Sequence, residues 1–297
     1  MRIVVTGSTG LIGRALIPVL QSQGHSVTRL VRKQTPAADE IAWNPAQGKI
    51  PTSELEGFDA VVHLAGESIV GRWTAAKKVR IRESRVEGTR LLSEALAQLR
   101  QPPQTLVSAS ATGYYGNQYD EVMTETSSAG VLFLSSVCVA WEEATEPAAR
   151  HGIRVVNPRI GFVLSGAGGG LSAMLPPFKM GVGGRVGNGR QYLSWIAIDD
   201  VVGVILHALT KTDMSGPVNT VAPFPVTNAE FTRALGEALH RPTVFPLPAF
   251  AARLVFGEMA DNLLLASTRV NPARLLASGY AFRFPKLPEA LRHVLGK

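Results

Sequence analysis

The residues best suited to chemistry lie near the start of the chain, in the run VVTGSTGLIG from Val4 to Gly13. Gly7, Gly10 and Gly13 fall three apart, straight after the β-rich stretch Arg2 to Thr6 and at the head of the helix-patterned stretch Leu11 to Gln23. That spacing suits a diphosphate. Gly7 permits the sharp exit from the strand, Gly10 leaves no Cβ where backbone must approach a pyrophosphate, and Gly13 lets the helix lie close to the sheet. The first helical turn then presents unpaired N–H groups and positive partial charge. Thr6, Gly7, Gly10 and Gly13 are therefore the expected dinucleotide-binding turn; the plain alternative is a helix start without a ligand.

The second strand separates the two common dinucleotides. NAD sites place an acid after it to accept hydrogen bonds from the ribose hydroxyls. Here the strand reads SVTRLVRK, with Arg29, Arg32 and Lys33 and no acid near its end. A guanidinium matches a phosphate in a two-point grip. Arg32, with Lys33 beside it, is the expected contact to an adenosine 2′-phosphate, so NADP is the expected cofactor. A solvated loop charge is the alternative.

The elements that must position these residues alternate. Strands are expected at Arg2 to Thr6, Ser26 to Val31, Glu40 to Trp43, Ala60 to Leu64, Leu106 to Ala109, Ile153 to Val156 and Gly216 to Val221. Helices are expected at Leu11 to Gln23, Thr74 to Leu99, Leu132 to Arg150 (as far as Pro147) and Asn228 to His240. The continuous apolar run AVVHL suits a strand buried on both faces. This order predicts an α/β fold: a Rossmann, doubly wound parallel sheet with a smaller C-terminal lobe on the substrate side. The expected division is 1–222 for the NADP-binding domain and 223–297 for the small helical lobe. A glycine-rich insertion at about 166–190 belongs with the substrate side; Ser165 to Gly189 holds nine glycines. Trp195 to Leu209 reads as a strand and a helix, with Asp199 the expected N-cap.

Bulk properties exclude several classes. The 297 residues are 45% hydrophobic and 18% charged, enough to bury a core and too apolar for disorder. The net charge is +7, but Lys and Arg are scattered, which argues for an anionic small molecule rather than nucleic acid or a membrane surface as the partner. A single cysteine, Cys138, and six histidines without paired spacing leave no metal motif. Arg2 and the apolar residues after it superficially resemble a signal peptide, but glycines interrupt them; no membrane span is expected, and the expected location is cytoplasmic.

With HLAGE at 63–67, RW at Arg72 and Trp73, SATGYYG at 110–116, PPF at 176–178 and GRQYLSWI at 189–196 added to the glycine turn, the chain resembles the extended short-chain dehydrogenase/reductase superfamily. More narrowly it is similar to the atypical sugar-nucleotide-epimerase-like subfamily with a short extra C-terminal segment. The resemblance covers essentially the whole chain. It implies that Gly7, Gly10, Leu11 and Ile12 face the pyrophosphate, Arg32 the 2′-phosphate, and Leu64, Ala65 and Gly66 the adenosine. Arg85 and Leu164 would also lie near the cofactor. Homodimers are common in that superfamily.

Standard members use Ser, Tyr and Lys, the last two as Tyr-x-x-x-Lys on one helix face, so that the Lys lowers the phenol pKa and the Tyr moves a proton. Four residues after Tyr114, Tyr115, Tyr119, Tyr192 and Tyr280 stand Gln118, Tyr119, Met123, Ile196 and Phe284. None is Lys. Anchoring the helix on Glu142 puts Leu134 at the Tyr position and Cys138 at the Lys position, where a small buried hydrophobe is the expected role. Ser110 sits where the family's catalytic Ser sits, with Thr112 its rival. Tyr114 or Tyr115 is left to donate a proton, unless YYG packs structurally. Arg190 and Gln191 are expected to hold an anionic or sugar-like group of the substrate, and Trp195 and Met174 to wall its pocket; plain loop packing is the alternative. The expected function is an NADP(H)-dependent oxidoreductase or epimerase-like protein acting on an unidentified small polar carbonyl or alcohol. The alternative is a non-catalytic NADP(H)-binding sensor or partner-binding regulatory protein.

Overall fold

The computed structural model describes residues 1–33 and 35–297. In chain order it forms β1 (Arg2–Thr6), α1 (Leu11–Ser22), β2 (Ser26–Val31), β3 (Glu40–Ala42), β4 (Ala60–His63), α2 (Ala75–Ala97), β5 (Thr105–Ser108), β6 (Ser110–Ala111), β7 (Val122–Met123), α3 (Phe133–Glu143), α4 (Glu146–Arg150), β8 (Arg154–Ile160) and β9 (Phe162–Leu164). Then follow α5 (Gly169–Lys179), β10 (Tyr192–Leu193), β11 (Trp195–Ala197), α6 (Ile198–Thr210), β12 (Gly216–Thr220), β13 (Val226–Thr227), α7 (Asn228–Leu239), α8 (Ala249–Phe256), β14 (Arg269–Val270), α9 (Ala273–Ala277) and α10 (Leu287–Val294).

Among the described residues the large sheet runs β12-β8-β5-β4-β1-β2-β3, with β6 added on β8, and every pairing is parallel. The order reverses between β1 and β4, the switch point at which a crevice opens above the strand ends. Period-two alternation builds a core on each face. Ile3, Val5, Val62 and Val107 meet Leu16, Leu20, Val201 and Ile205 on one side. Val4, Val61 and Leu106 meet Leu92, Leu96 and Ala148 on the other. Two covered faces explain why the central strands read as continuous apolar runs.

Three local expectations need correction. The helix foreseen from Leu132 to Pro147 breaks earlier, at Ala144 and Thr145, and restarts with Pro147 in the first turn of α4. That is where the missing N–H of proline does no harm. β8 extends to Ile160, beyond Val156; Asn157, Pro158 and Arg159 hid it by breaking the apolar run, yet all three are buried. Asp199 does not cap α6. Ala197 occupies the N-cap without a side-chain bond, and Asp199, one residue into the helix, pairs with His293 at 3.0 Å.

Residues 223–297 are stitched back into the first two-thirds of the chain. β13 pairs with β10 and β14 with β7, while Leu171, Phe178, Phe231, Leu235 and Leu291 close a third core. Trp195 lies in that core, fully buried, its indole donating to Phe224 O at 3.0 Å. It is not a pocket wall; an inward position on β11 gives it no path to the cleft. Met174 packs against the same cluster.

Candidate functional site

The glycine turn and the tip of β4 meet at the switch point. Gly7 has φ of +66°, and a Cβ there would sit 2.6 Å from Leu64 O. Gly7 is thus required by the approach of the two strand tips. A Cβ at Gly13 would run into Gly7 O and come to 2.8 Å from Ser8 Cα, so Gly13 is required by helix–turn packing. Gly10 differs: its Cβ would meet only Gly7 O, at 3.2 Å. Gly10 is also the N-cap of α1, without side-chain cap or acid in the first turn, leaving the N–H groups after it, at Leu11, Ile12 and Gly13, for an anion. The insertion closes over this turn. Cβ atoms at Gly168 and Gly169 would lie 3.5 and 2.9 Å from the Leu11 side chain.

Thr6 has a different part from the one expected. It is fully buried, and its hydroxyl accepts from Leu64 N (3.0 Å) and Ala65 N (3.1 Å). With both lone pairs used, its proton goes to His63 Nδ1, 2.8 Å away. The Nε2 proton of His63 then points to Thr89 Oγ1 (3.0 Å), which also accepts from the Trp141 indole (2.9 Å). Thr6 therefore positions Leu64 and Ala65 rather than touching a ligand, and the chain of bonds continues into α2 and α3. Leu64 and Ala65 are half-buried and Gly66 is exposed at the rim.

Burial pushes the His63 imidazole down to about 4. The folded protein therefore refuses a proton that the unfolded chain accepts below its ordinary value of 6.5. Stability from the neutral ring is complete above pH 6.5 and is lost progressively as pH falls towards 4. The loss approaches about 3 kcal/mol at roughly 1.4 kcal/mol per unit. Urea melts across that window should show this slope in the wild type and lack it in His63→Gln; equal slopes would count against a neutral His63.

The three cations of β2 and its end divide. Arg29 pairs with Asp39 at 2.7 Å, and Lys33 with Glu40 at 3.0 Å. The Glu40 carboxylate is buried and held well below the usual range, first by the Ala37 N–H and then by Lys33. Lys33 is thereby the partner of Glu40, since a buried carboxylate needs its cation, while its side chain stays 60% exposed in the groove that Arg32 also lines. Arg32 is exposed and has no ion pair within 4 Å among the described residues. It lines a groove of about 730 Å³ with Trp43, Asn44, Gln47 and Ile50.

Arg85 rises from α2 beneath the β4 tip. Its Nη1 donates to Glu67 O at 3.0 Å, and a Cβ at Gly66 would lie 3.3 Å from its Cζ. The guanidinium also lies 5.1 Å from the Trp141 ring. Leu164, by contrast, is fully buried in the third core, so its side chain is not a cofactor contact.

At the far end of the sheet, Ser110 and Arg159 are paired neighbours on β6 and β8. The Glu142 carboxylate on α3 accepts from Arg159 Nε and Nη2, each at 2.8 Å, and from Ser110 Oγ at 2.6 Å. Ser110 is buried and its proton is engaged by a carboxylate, so the expectation that it polarises a substrate oxygen is corrected. The buried ion pair draws it inward. Burial alone would depress Arg159, but Glu142 and the Tyr115 hydroxyl together push it above its ordinary value. Tyr115 is also fully buried, accepting from Arg159 and donating to Asn219 Oδ1 at 2.6 Å. Burial pushes its phenol up to about 12.

Tyr114 is the exception. It is half-buried, its ring lies 3.4 Å from Arg159 Cζ, and its hydroxyl has no hydrogen-bond partner among the described residues. The turn holding it, Thr112–Tyr115, is fixed to α3 by Ser135 Oγ donating to Gly113 O at 2.9 Å.

Leu134 and Cys138 lie where the resemblance puts Tyr and Lys, and both are buried. Burial, then the charge of Glu142, pushes the Cys138 thiol up to about 12, which makes it inert. Leu134 packs with Trp73, Ile81 and Met259, and its N–H donates to Asn262 Oδ1 at 3.3 Å. Met259 and Asn262 thus cover the head of α3. Gln191 is engaged in the same closure, donating to Val186 O and Leu264 O at 3.0 and 2.9 Å, which leaves its amide N–H groups unavailable to a substrate; Arg190 is exposed.

Residues 3–221 match the NAD dependent epimerase/dehydratase family, and residues 247–294 match a domain of unknown function. The chain belongs to the NAD dependent epimerase/dehydratase family. An epimerase family protein of Mycobacterium bovis is 46% identical over 290 residues, covering 97% of this chain and 96% of the relative. A crystal structure of the human epimerase family protein SDR39U1 with NADPH superposes with a TM-score of 0.92 at 37% identity, covering all of both chains. A nucleoside-diphosphate sugar epimerase of Corynebacterium glutamicum gives a TM-score of 0.83 at 40% identity, covering all of this chain and 58% of that one.

Within this epimerase/dehydratase frame, Arg159 and His63 were missed as site-building residues. A charged residue inside a buried strand and a histidine inside AVVHL were signals available in the sequence. Their partners come from other elements and were not.

Proposed function

We propose that this protein binds NADPH and uses it to reduce a small polar carbonyl compound, with Tyr114 donating the proton. Support for the cofactor comes from the Gly10 turn, from Arg32 at the end of β2 with no ion-pair partner among the described residues, and from the human relative described with NADPH. When bound, NADPH supplies the hydride. The chain's part is to hold the pyrophosphate on the amides after Gly10, the 2′-phosphate on Arg32, and a phenol near the carbonyl oxygen.

The observation that carries the reading is the setting of Tyr114. Arg159 is locked by two bonds to Glu142, and the ring lies on that guanidinium. A rigid ring fixes where the hydroxyl points, which general acid catalysis needs. Once the proton reaches the carbonyl oxygen, water restores the phenol.

Tyr114→Phe should lower the rate of NADPH oxidation with an active carbonyl by roughly 10²- to 10³-fold while leaving NADPH affinity within about twofold. Arg32→Ala should weaken NADPH by roughly 1–3 kcal/mol and barely alter NADH. Equal losses for both nucleotides would contradict the role given to Arg32; an unchanged rate would remove Tyr114 as the acid. A non-catalytic NADPH sensor is the second reading. It is favoured by the apolar packing of Leu134 and Met259 where the resemblance puts Tyr. Tight NADPH binding without turnover on any carbonyl would select it.

A further inference from the structure

We propose that the C-terminal lobe carries a peripheral docking surface for an anionic lipid bilayer, made by the chain after α5 and by the segment leading into α8. These two stretches lie side by side. Arg241 Nε donates to Lys179 O at 2.9 Å, Leu247 N to Arg185 O at 2.8 Å, and Gly187 N to Leu247 O at 2.9 Å. Their apolar side chains point away from the protein. Met180, Val182, Val244, Phe245, Phe250 and Leu254 are each between 52 and 74% exposed. Scattered exposed apolar residues need no explanation, but six large ones converging on two adjacent stretches do. α8 shows why they converge. Its Ala252 and Phe256, four apart, pack inward against Val186 and Ala260, which leaves Phe250 and Leu254, also four apart, on the outer face.

Charge selects the occupant. Residues 179–198 and 238–257 contain no Asp or Glu, while Lys179, Arg185, Arg241 and Arg253 are exposed on them. Arg253 is paired, with Asp261 at 2.9 Å from its Nε, and Glu237 and Glu258 border the second stretch, which leaves Lys179, Arg185 and Arg241 without an ion pair within 4 Å among the described residues. A second copy docking the same face on itself would set cations against cations. An anionic bilayer satisfies both features, since exposed Phe, Leu and Met side chains enter the headgroup boundary while cations meet acidic headgroups. No helix of the described residues is long and apolar enough to cross a membrane, so the contact is peripheral. In the sequence these cations are far apart, which is why the scattered charge pattern read as an ordinary solvated surface.

The test is co-sedimentation of the full chain with phosphatidylcholine vesicles and with vesicles that also contain phosphatidylglycerol, in low and high salt. The expected result is binding to the phosphatidylglycerol vesicles at least about tenfold stronger than to neutral ones, and weakened by salt. Lys179→Glu/Arg185→Glu and, separately, Phe250→Ser/Leu254→Ser should each lower it by roughly tenfold or more, with NADPH affinity and melting temperature unchanged, because all four side chains are exposed. No preference for anionic vesicles, or full binding by both variants, overturns the proposal. So does a dimer in the wild type that either variant dissolves, since the face would then be protein-bound.

Discussion

Gly10→Val should abolish NADPH binding, raising Kd by at least about 100-fold, roughly 3 kcal/mol, while the protein stays folded. The backbone at Gly10 has φ −74° and ψ 172°, extended values that valine adopts without strain. Its Cβ meets one protein atom, Gly7 O at 3.2 Å, which a shift of a few tenths of an ångström relieves. The added methyls instead occupy the space above the N-terminus of α1, where a pyrophosphate must come close to the amides. Gly13→Ala is the contrasting change. Its single methyl collides with the Gly7 carbonyl and Ser8 Cα and should lower the melting temperature. Titration by nucleotide fluorescence and thermal melts of both variants separate the effects. Unaltered NADPH affinity in Gly10→Val would end the assignment of this turn to the diphosphate.

Glu142→Ala should destabilise the fold by about 3–5 kcal/mol, because it strands the Arg159 charge in the interior. The Arg159 side chain is 3% exposed and that of Glu142 14%, and the carboxylate accepts both Arg159 bonds and that of Ser110. Removing one partner of a buried pair costs more than removing both. Glu142→Leu/Arg159→Met should therefore recover much of the loss, yet still slow any turnover, since the Tyr114 ring no longer rests on a fixed guanidinium. Urea denaturation of the single and double variants measures this. A single-variant loss under about 1 kcal/mol would mean that water reaches the pair and that the site is not built around it.

Much of the architecture was legible residue by residue. The glycine spacing after a short strand, the apolar runs at β1, β4 and β5, and the periodic pattern of α7 are local, and each acts through backbone geometry or period. They led to a parallel doubly wound sheet because βαβ connections leave few alternatives. Arg32 could be proposed for the same reason: the end of β2 lies at a fixed place relative to the turn. The absent Tyr-x-x-x-Lys was also a matter of counting, since four residues make one helical face.

Which polar groups remain available is a different kind of fact. Lys33 and Arg32 are neighbours in sequence, and only the pairing of Lys33 with Glu40 separates them. Ser110 and Tyr114 were both catalytic candidates, in different roles, until Glu142, thirty-two residues beyond Ser110, engaged one hydroxyl while Arg159 bore the ring of the other. Thr6 was in the right turn but faced His63 instead of the crevice. By itself, then, the sequence determined the fold, the glycine turn after β1 and the absence of Tyr-x-x-x-Lys, because spacing and periodicity act over a few residues. Tertiary structure alone decided which charges and hydroxyls are satisfied, because a buried polar group takes whatever partner the packing brings, however distant along the chain.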